Sequence, residues 1–146
     1  MNEILNSTYE VSLRILIQLF VLDKKEKSAD FISSLDYLSL YSKTFGFGEY
    51  DLHGENPYRL GEFGSRLKTG RNALKFLVSY GLCSVTTTNL GIAYSITEPG
   101  KNVANSLTTQ YSIAYLNNAI DAQEYFKSYG DIEIFEYING ITKERR

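Results

Sequence analysis

The segment FLVSYGLCSVTTTNLGIAYSITEPG, residues 76–100, constrains the fold more than any other part of the chain. A helical run closes at Tyr80-Gly81-Leu82, where Gly81 is a good C-cap. Two β-rich runs, 82–88 and 91–97, flank Asn89-Leu90-Gly91, which reads as a hairpin. Thr97-Glu98-Pro99 then opens a helix, with Thr97 as N-cap and Pro99 in the first turn. A helix, a hairpin and a second helix are therefore fixed in order within this stretch.

Upstream, STYE (7–10) is a capping box: Ser7 caps and Glu10 lies three positions on. The helix it opens, 8–22, is apolar on most sides, so it reads as a central strut. Glu10, Arg14 and Gln18 fall at i, i+4 and i+8 as one narrow polar stripe. DKKEK (23–27) is a charged turn. A second helix runs from about Ala29 to Ser42 with Ser28 as cap, and Phe31, Leu35 and Leu38 give its apolar spacing. Residues 44–57 read as a long loop with Gly46, Gly48, Gly54 and Pro57, and long loops in small domains tend to serve function. A third helix spans roughly Leu60 to Tyr80 on a stripe of Leu60, Phe63, Leu67, Leu74, Leu77 and Val78. Gly61, Gly64 and Gly70 weaken its first half, and close approach of another backbone is one physical reason for them.

After the hairpin and its following helix (97–107), a longer helix is expected over about Thr109–Tyr129. Tyr111, Tyr115, Ala122, Tyr125, Phe126 and Tyr129 lie along one side as core or as a partner seam. The tail DIEIFEYINGI (131–141) alternates acid and apolar residues and reads equally as helix or strand. Three helices, a hairpin and a helix make the winged helix-turn-helix plan. The expected fold is mainly α with a small β-hairpin: a winged-helix domain over 1–108 and a helical extension over 109–146, packing on that domain or on a partner.

At 146 residues, 43% apolar and 22% charged, the chain suffices for a core without disulfide or metal. Its net charge of −2 argues against a dedicated sequence-independent nucleic-acid binder but not against a local basic patch. The single cysteine, Cys83, rules out an internal disulfide and fits a reducing compartment. The first residues show no basic n-region, and the longest apolar run, 11–22, is too short to span a bilayer. The expectation is a cytoplasmic protein with no membrane partner.

Catalysis fits poorly. Asp51, His53 and Glu55 alternate, so an extended segment would point all three one way, but the chain has one His and no second ligand cluster. Cys83 opens an apolar strand rather than sitting beside a base. Gly46-Phe47-Gly48 lacks the Lys-Ser/Thr of a P-loop. No enzyme activity, cofactor or metal is expected.

Two binding faces remain. Lys68, Arg71 and Lys75 form one basic stripe on the third helix, either a weak, salt-sensitive phosphate contact or a solvated charged face. The hairpin tip TTTN has no Lys or Arg, which weakens the nucleic-acid reading. The second face is the loop: Phe45, Phe47, Tyr50 and Tyr58 cluster beside His53 and an Arg59–Glu62–Arg66 ladder. That cluster is a recognition surface or the filling of a core beneath the loop.

EVSLRILIQLF, LDYLSLYS, DLHGENPYRLGEFGSRLKTGRNALKFLVSYGL and GIAYSITEPGKNVANSL together resemble one family. It is the small middle component of bacterial three-component ABC ATPase systems, the group that includes Lamassu-type anti-phage and anti-plasmid systems. The resemblance covers about Ser7 to Ile120. Its most specific element is Leu52-His53 followed by Pro57-Tyr58-Arg59 and Gly61-Glu62. Gly54 stands where the family tends to have Pro, and a tryptophan common near the end of the last shared helix is absent. The resemblance implies a non-enzymatic adaptor between an SMC- or Rad50-like ABC ATPase and an effector nuclease, with double-stranded DNA met through the complex. The alternative is a stand-alone winged-helix regulator that binds DNA as a dimer.

Overall fold

The computed structural model describes residues 7–48, 51–52 and 62–144, the last three by backbone alone. Helix α1 spans Thr8–Leu22, and the Ser7 hydroxyl accepts from the Glu10 amide at 3.2 Å, so Ser7 caps the helix as read. Helix α2 spans Ala29–Leu40 under the same kind of cap, Ser28 on the Phe31 amide. Every residue of α2 from Phe31 to Leu40 is buried. The helix enclosed on all sides is thus the serine-rich second one as much as the apolar first. Ser33, Ser34 and Ser39 tolerate that burial because each hydroxyl donates to the carbonyl four residues back.

Helix α3, Glu62–Ser79, packs across α1 and α2. Its contact with α2 is close at Gly70, where an added Cβ would lie 1.9 Å from Ser33 Oγ. Of the three glycines read as close-approach positions, Gly70 serves that role; Gly64 faces open space, and Gly61 lies outside the described residues. The helix ends in a Schellman turn: Leu82 N–H returns to Leu77 C=O, Gly81 N–H to Val78 C=O, and Gly81 takes φ of 74°.

Strands β1 (Cys83–Thr88) and β2 (Gly91–Ile96) pair antiparallel, with Cys83 opposite Ile96 and Thr88 opposite Gly91. On the outer side of β2, Tyr94 exchanges two backbone hydrogen bonds with Lys27 from the α1–α2 turn. Helix α4, Glu98–Asn105, follows with Thr97 capping the Gly100 amide.

Helix α5 covers Gln110–Tyr125 and packs on both α1 and α2. It stops four residues before the expected end at Tyr129, because the chain turns at Phe126 and a new helix, α6 (Asp131–Glu144), begins after Gly130. The tail is therefore helix. Its burial picks out Ile134 and Ile138, four apart, while Ile132 is exposed, so a helical period wins over the acid–apolar alternation. The chain is mainly helical with one two-stranded antiparallel sheet. The order of three helices, hairpin and helix follows the expected plan through Asn105.

Candidate docking surface

The segment after α2 is folded back on itself. Phe47 and Gly48 both donate to Ser42 C=O, and Leu52 donates to Leu40 C=O. The Asp51 carboxylate accepts from the Thr44 amide at 2.9 Å and from the Thr44 hydroxyl, which fixes the loop and occupies the carboxylate. His53 and Glu55, the other members of the alternating trio, lie outside the described residues, as do Tyr50, Tyr58 and Arg59. Among the described residues no group of three or more His, Cys, Asp or Glu is placed to hold a metal.

Phe45 and Phe47 separate in the structure. Phe45 is a core residue, its ring 5.6 Å from that of Tyr37 and its carbonyl accepting from Tyr137 Oη. It lies in the core, the second of the two roles read for this cluster. Phe47 is partly buried and leans on Tyr125 and Phe126, with centroids 5.7 and 5.5 Å away. An open groove of about 860 Å³ lies beside it, with Leu52, Ala114, Asn117, Asp121 and Tyr125 along its walls. Its walls are apolar, amide and acid groups, suited to holding a peptide surface.

Glu62 and Arg66 do form an i, i+4 pair, at 3.4 Å, and it is sunk into the protein. Tyr41 donates to the same Glu62 oxygen at 3.0 Å. Burial, then the Glu62 charge, pushes the Tyr41 phenol well above its ordinary range. Next to this pair Phe63 stacks between Tyr37 and Phe135, at 5.4 and 5.5 Å, which ties the start of α3 to α6. Glu62 and Arg66 thus join the first turn of α3 to Tyr41 at the end of α2.

On the opposite flank Lys68, Arg71 and Lys75 are all exposed along α3. Arg71 is held by Asp30 at the start of α2, 2.8 Å away. The stripe therefore carries two lysines and an arginine shared with a carboxylate. Cys83 is buried, and burial raises its thiol to about 12, which keeps it protonated at neutral pH.

Sequence reasoning missed a buried polar network. The stripe of Arg14 and Gln18 points inward. Arg14 binds Asp36 on α2, Tyr115 of α5 donates to Asp36 Oδ1 at 2.6 Å, and Gln18 donates to Ser39 and to Tyr115 Oη, each at 2.8 Å. Gln123 of α5 adds bonds to the Gln18 carbonyl and side chain. The signal was present: an apolar helix with two polar residues four apart needs polar partners opposite, and Asp36 and Ser39 supply them three apart.

The fold is that of a small, mainly helical protein with one two-stranded antiparallel sheet. Residues 4–145 match the family described as ABC-three component (ABC-3C) system Middle Component 2, and the chain belongs to that family. The match extends past residue 125, into the α6 region that the sequence resemblance leaves unmatched. No curated protein and no solved structure matches the chain. No helix among the described residues is long and apolar enough to cross a membrane.

Proposed function

We propose that this chain is a non-catalytic adaptor that joins an SMC- or Rad50-like ABC ATPase to an effector nuclease in a Lamassu-type anti-phage or anti-plasmid system. Membership of the middle-component family carries the reading, because it makes the chain one part of a multi-component ABC assembly. The groove beside Phe47 supports it locally, since it joins apolar area to amide and acid groups and holds no reactive pair. In this reading Phe47 and the loop residues Tyr50, His53, Tyr58 and Arg59 meet the partner. Glu62 and Arg66 hold the loop's exit in place from beneath.

The domain before residue 109 is read as a winged helix, and Lys68, Arg71 and Lys75 as an auxiliary contact to double-stranded DNA inside the assembly. A stand-alone operator-binding regulator is disfavoured by the hairpin, which brings no cation to a phosphate backbone.

The test is co-expression of the full chain with the two other components of its system, followed by purification through a tag on the ATPase. The chain is expected to co-purify in fixed ratio, and Phe47→Asp with Leu52→Asp to lose at least one of the two partners. Absence of the wild-type chain from the purified ATPase overturns the adaptor reading. Tight binding of a defined duplex by the isolated chain at physiological salt favours the regulator instead.

A further inference from the structure

The hairpin leaves an unused edge. In an antiparallel ladder every second pair of residues exchanges hydrogen bonds, and the groups between point outward. Thr97 N–H donates to Leu82 C=O, so the bonded pairs continue at Ser84–Ser95, Thr86–Ala93 and Thr88–Gly91. The backbone groups of Tyr94 face away from β1 and are taken by Lys27. Those of Val85 and Thr87 face away from β2, and no described residue bonds to them. Among the described residues, one edge of the sheet is thus covered and the other is open.

Open edges are ordinarily protected by a Lys, a proline or a bulge. β1 has none of these: its register with β2 runs without interruption through CSVTTT. The face that carries Cys83, Val85 and Thr87, with Ile96, Tyr94 and Ile92 opposite, begins in the core and continues out into solvent. Val85 is 50% exposed, Ile92 57%, and Leu90 at the tip fully so. From Phe76 to Thr97 the chain has no Asp, Glu, Lys, Arg or His.

Charge selects the occupant. A two-fold contact sets each residue near the axis against its own copy, so a charged patch repels itself. The exposed face of α3 is basic at Lys68 and Lys75, and the exposed acids of α5 and α6 (Asp121, Glu124, Asp131, Glu133 and Glu136) outnumber the one exposed cation among the described residues there, Lys127, which pairs with Glu124. The hairpin is neutral, and neutral surface meets itself without that cost.

We propose that two copies of this chain pair through β1, antiparallel across a two-fold axis at Thr86, to form a continuous four-stranded sheet. Val85 and Thr87 of each copy then exchange backbone hydrogen bonds with Thr87 and Val85 of the other. Ile92, Thr87, Val85 and Tyr94 line up on one face across the seam. The proposal stands on the hairpin and does not depend on the adaptor role.

The mass of the full-length chain, measured by sedimentation and light scattering over a dilution series, tests it. The wild type is expected at twice 16.6 kDa, dissociating on dilution. Val85→Lys with Thr87→Lys opposes like charges at both bonded pairs and is expected to weaken the dimer by about tenfold or more. Val85→Lys with Thr87→Glu sets Lys against Glu across the same seam and is expected to restore it. Both sites are exposed, so melting temperatures near that of the wild type are expected and confirm that the variants fold. A wild-type monomer throughout overturns the proposal, as does a dimer indifferent to the double-Lys change. So does a Lys/Glu variant as dissociated as the double Lys. A monomer whose hairpin variants instead lose the ATPase or the effector assigns the edge to a different chain and overturns it too.

Discussion

Arg14 and Asp36 face each other in the core as a two-point ion pair, Nε to Oδ1 at 2.9 Å and Nη2 to Oδ2 at 3.3 Å. Neither side chain exposes more than 4% of its surface. Tyr115 donates to the same Oδ1, so α1, α2 and α5 meet at one carboxylate. Charge removed from water at this depth is costly, and the pair is tolerable only because both ions and their lone pairs are matched. The pair therefore fixes how three helices are oriented more than it adds net stability.

Asp36→Asn should destabilise the fold by about 3–5 kcal/mol, since it leaves the Arg14 guanidinium buried without a counter-charge. Replacing both, Arg14→Met with Asp36→Leu, should cost far less than the single change. Urea unfolding of the three proteins checks this, and a double variant as weak as the single one would contradict it.

Acid should unfold this protein through the same group. Burial alone would raise the Asp36 carboxyl, but the Arg14 charge and the bonds from Arg14 and Tyr115 hold it below the ordinary 3.8. A carboxyl with a depressed folded-state value contributes stability above its unfolded value and loses it as pH falls through the folded one. Stability should be flat near neutrality and begin to fall below about pH 4. In Asp36→Asn this part of the acid slope should vanish, which thermal melts between pH 2 and pH 7 would show.

The fold was legible wherever its determinants are local. Ser7 and Glu10, Ser28, Gly81 and Thr97 mark helix ends by their own hydrogen bonds, and the structure sets those ends where they point. Tertiary packing decided the rest. The α5–α6 break at Phe126 depends on that ring fitting between Phe47, Tyr129 and Tyr137. The tail became helix because Ile134 and Ile138 reach the core together. Arg14 and Gln18 read only as a narrow polar stripe because a single helix does not show what stands opposite. For the docking surface, Phe45 and Phe47 are indistinguishable by type and neighbourhood, and only the loop's fold over Tyr37 puts one inside and the other beside the groove.

Gly70 gives a test of packing alone. A Cβ there would meet Ser33 Oγ at 1.9 Å and Ser33 Cβ at 2.7 Å, with little room for either helix to yield. Gly70→Ala should cost about 1–3 kcal/mol despite alanine's better helix propensity. Ser33→Gly should relieve the clash, so the double variant should be more stable than the sum of the singles predicts. Chemical denaturation of the four-member cycle measures that coupling.

The basic stripe makes a prediction of two signs. Lys68 and Lys75 are exposed and free to meet phosphate, whereas Arg71 is shared with Asp30 at 2.8 Å, both groups partly in water. If the stripe touches DNA in the assembled complex, Lys68→Glu with Lys75→Glu should weaken duplex binding and lower the salt slope by about two. Asp30→Asn should do the reverse: it frees Arg71, strengthens binding and steepens the slope by up to about one. Its stability cost should stay below about 1 kcal/mol, the worth of an acid in an exposed first helical turn. A salt titration of duplex binding by the complex, with each variant in turn, reads both signs. Unchanged slopes in all variants would mean that the stripe faces only solvent, and loss of the complex itself would make it a protein contact.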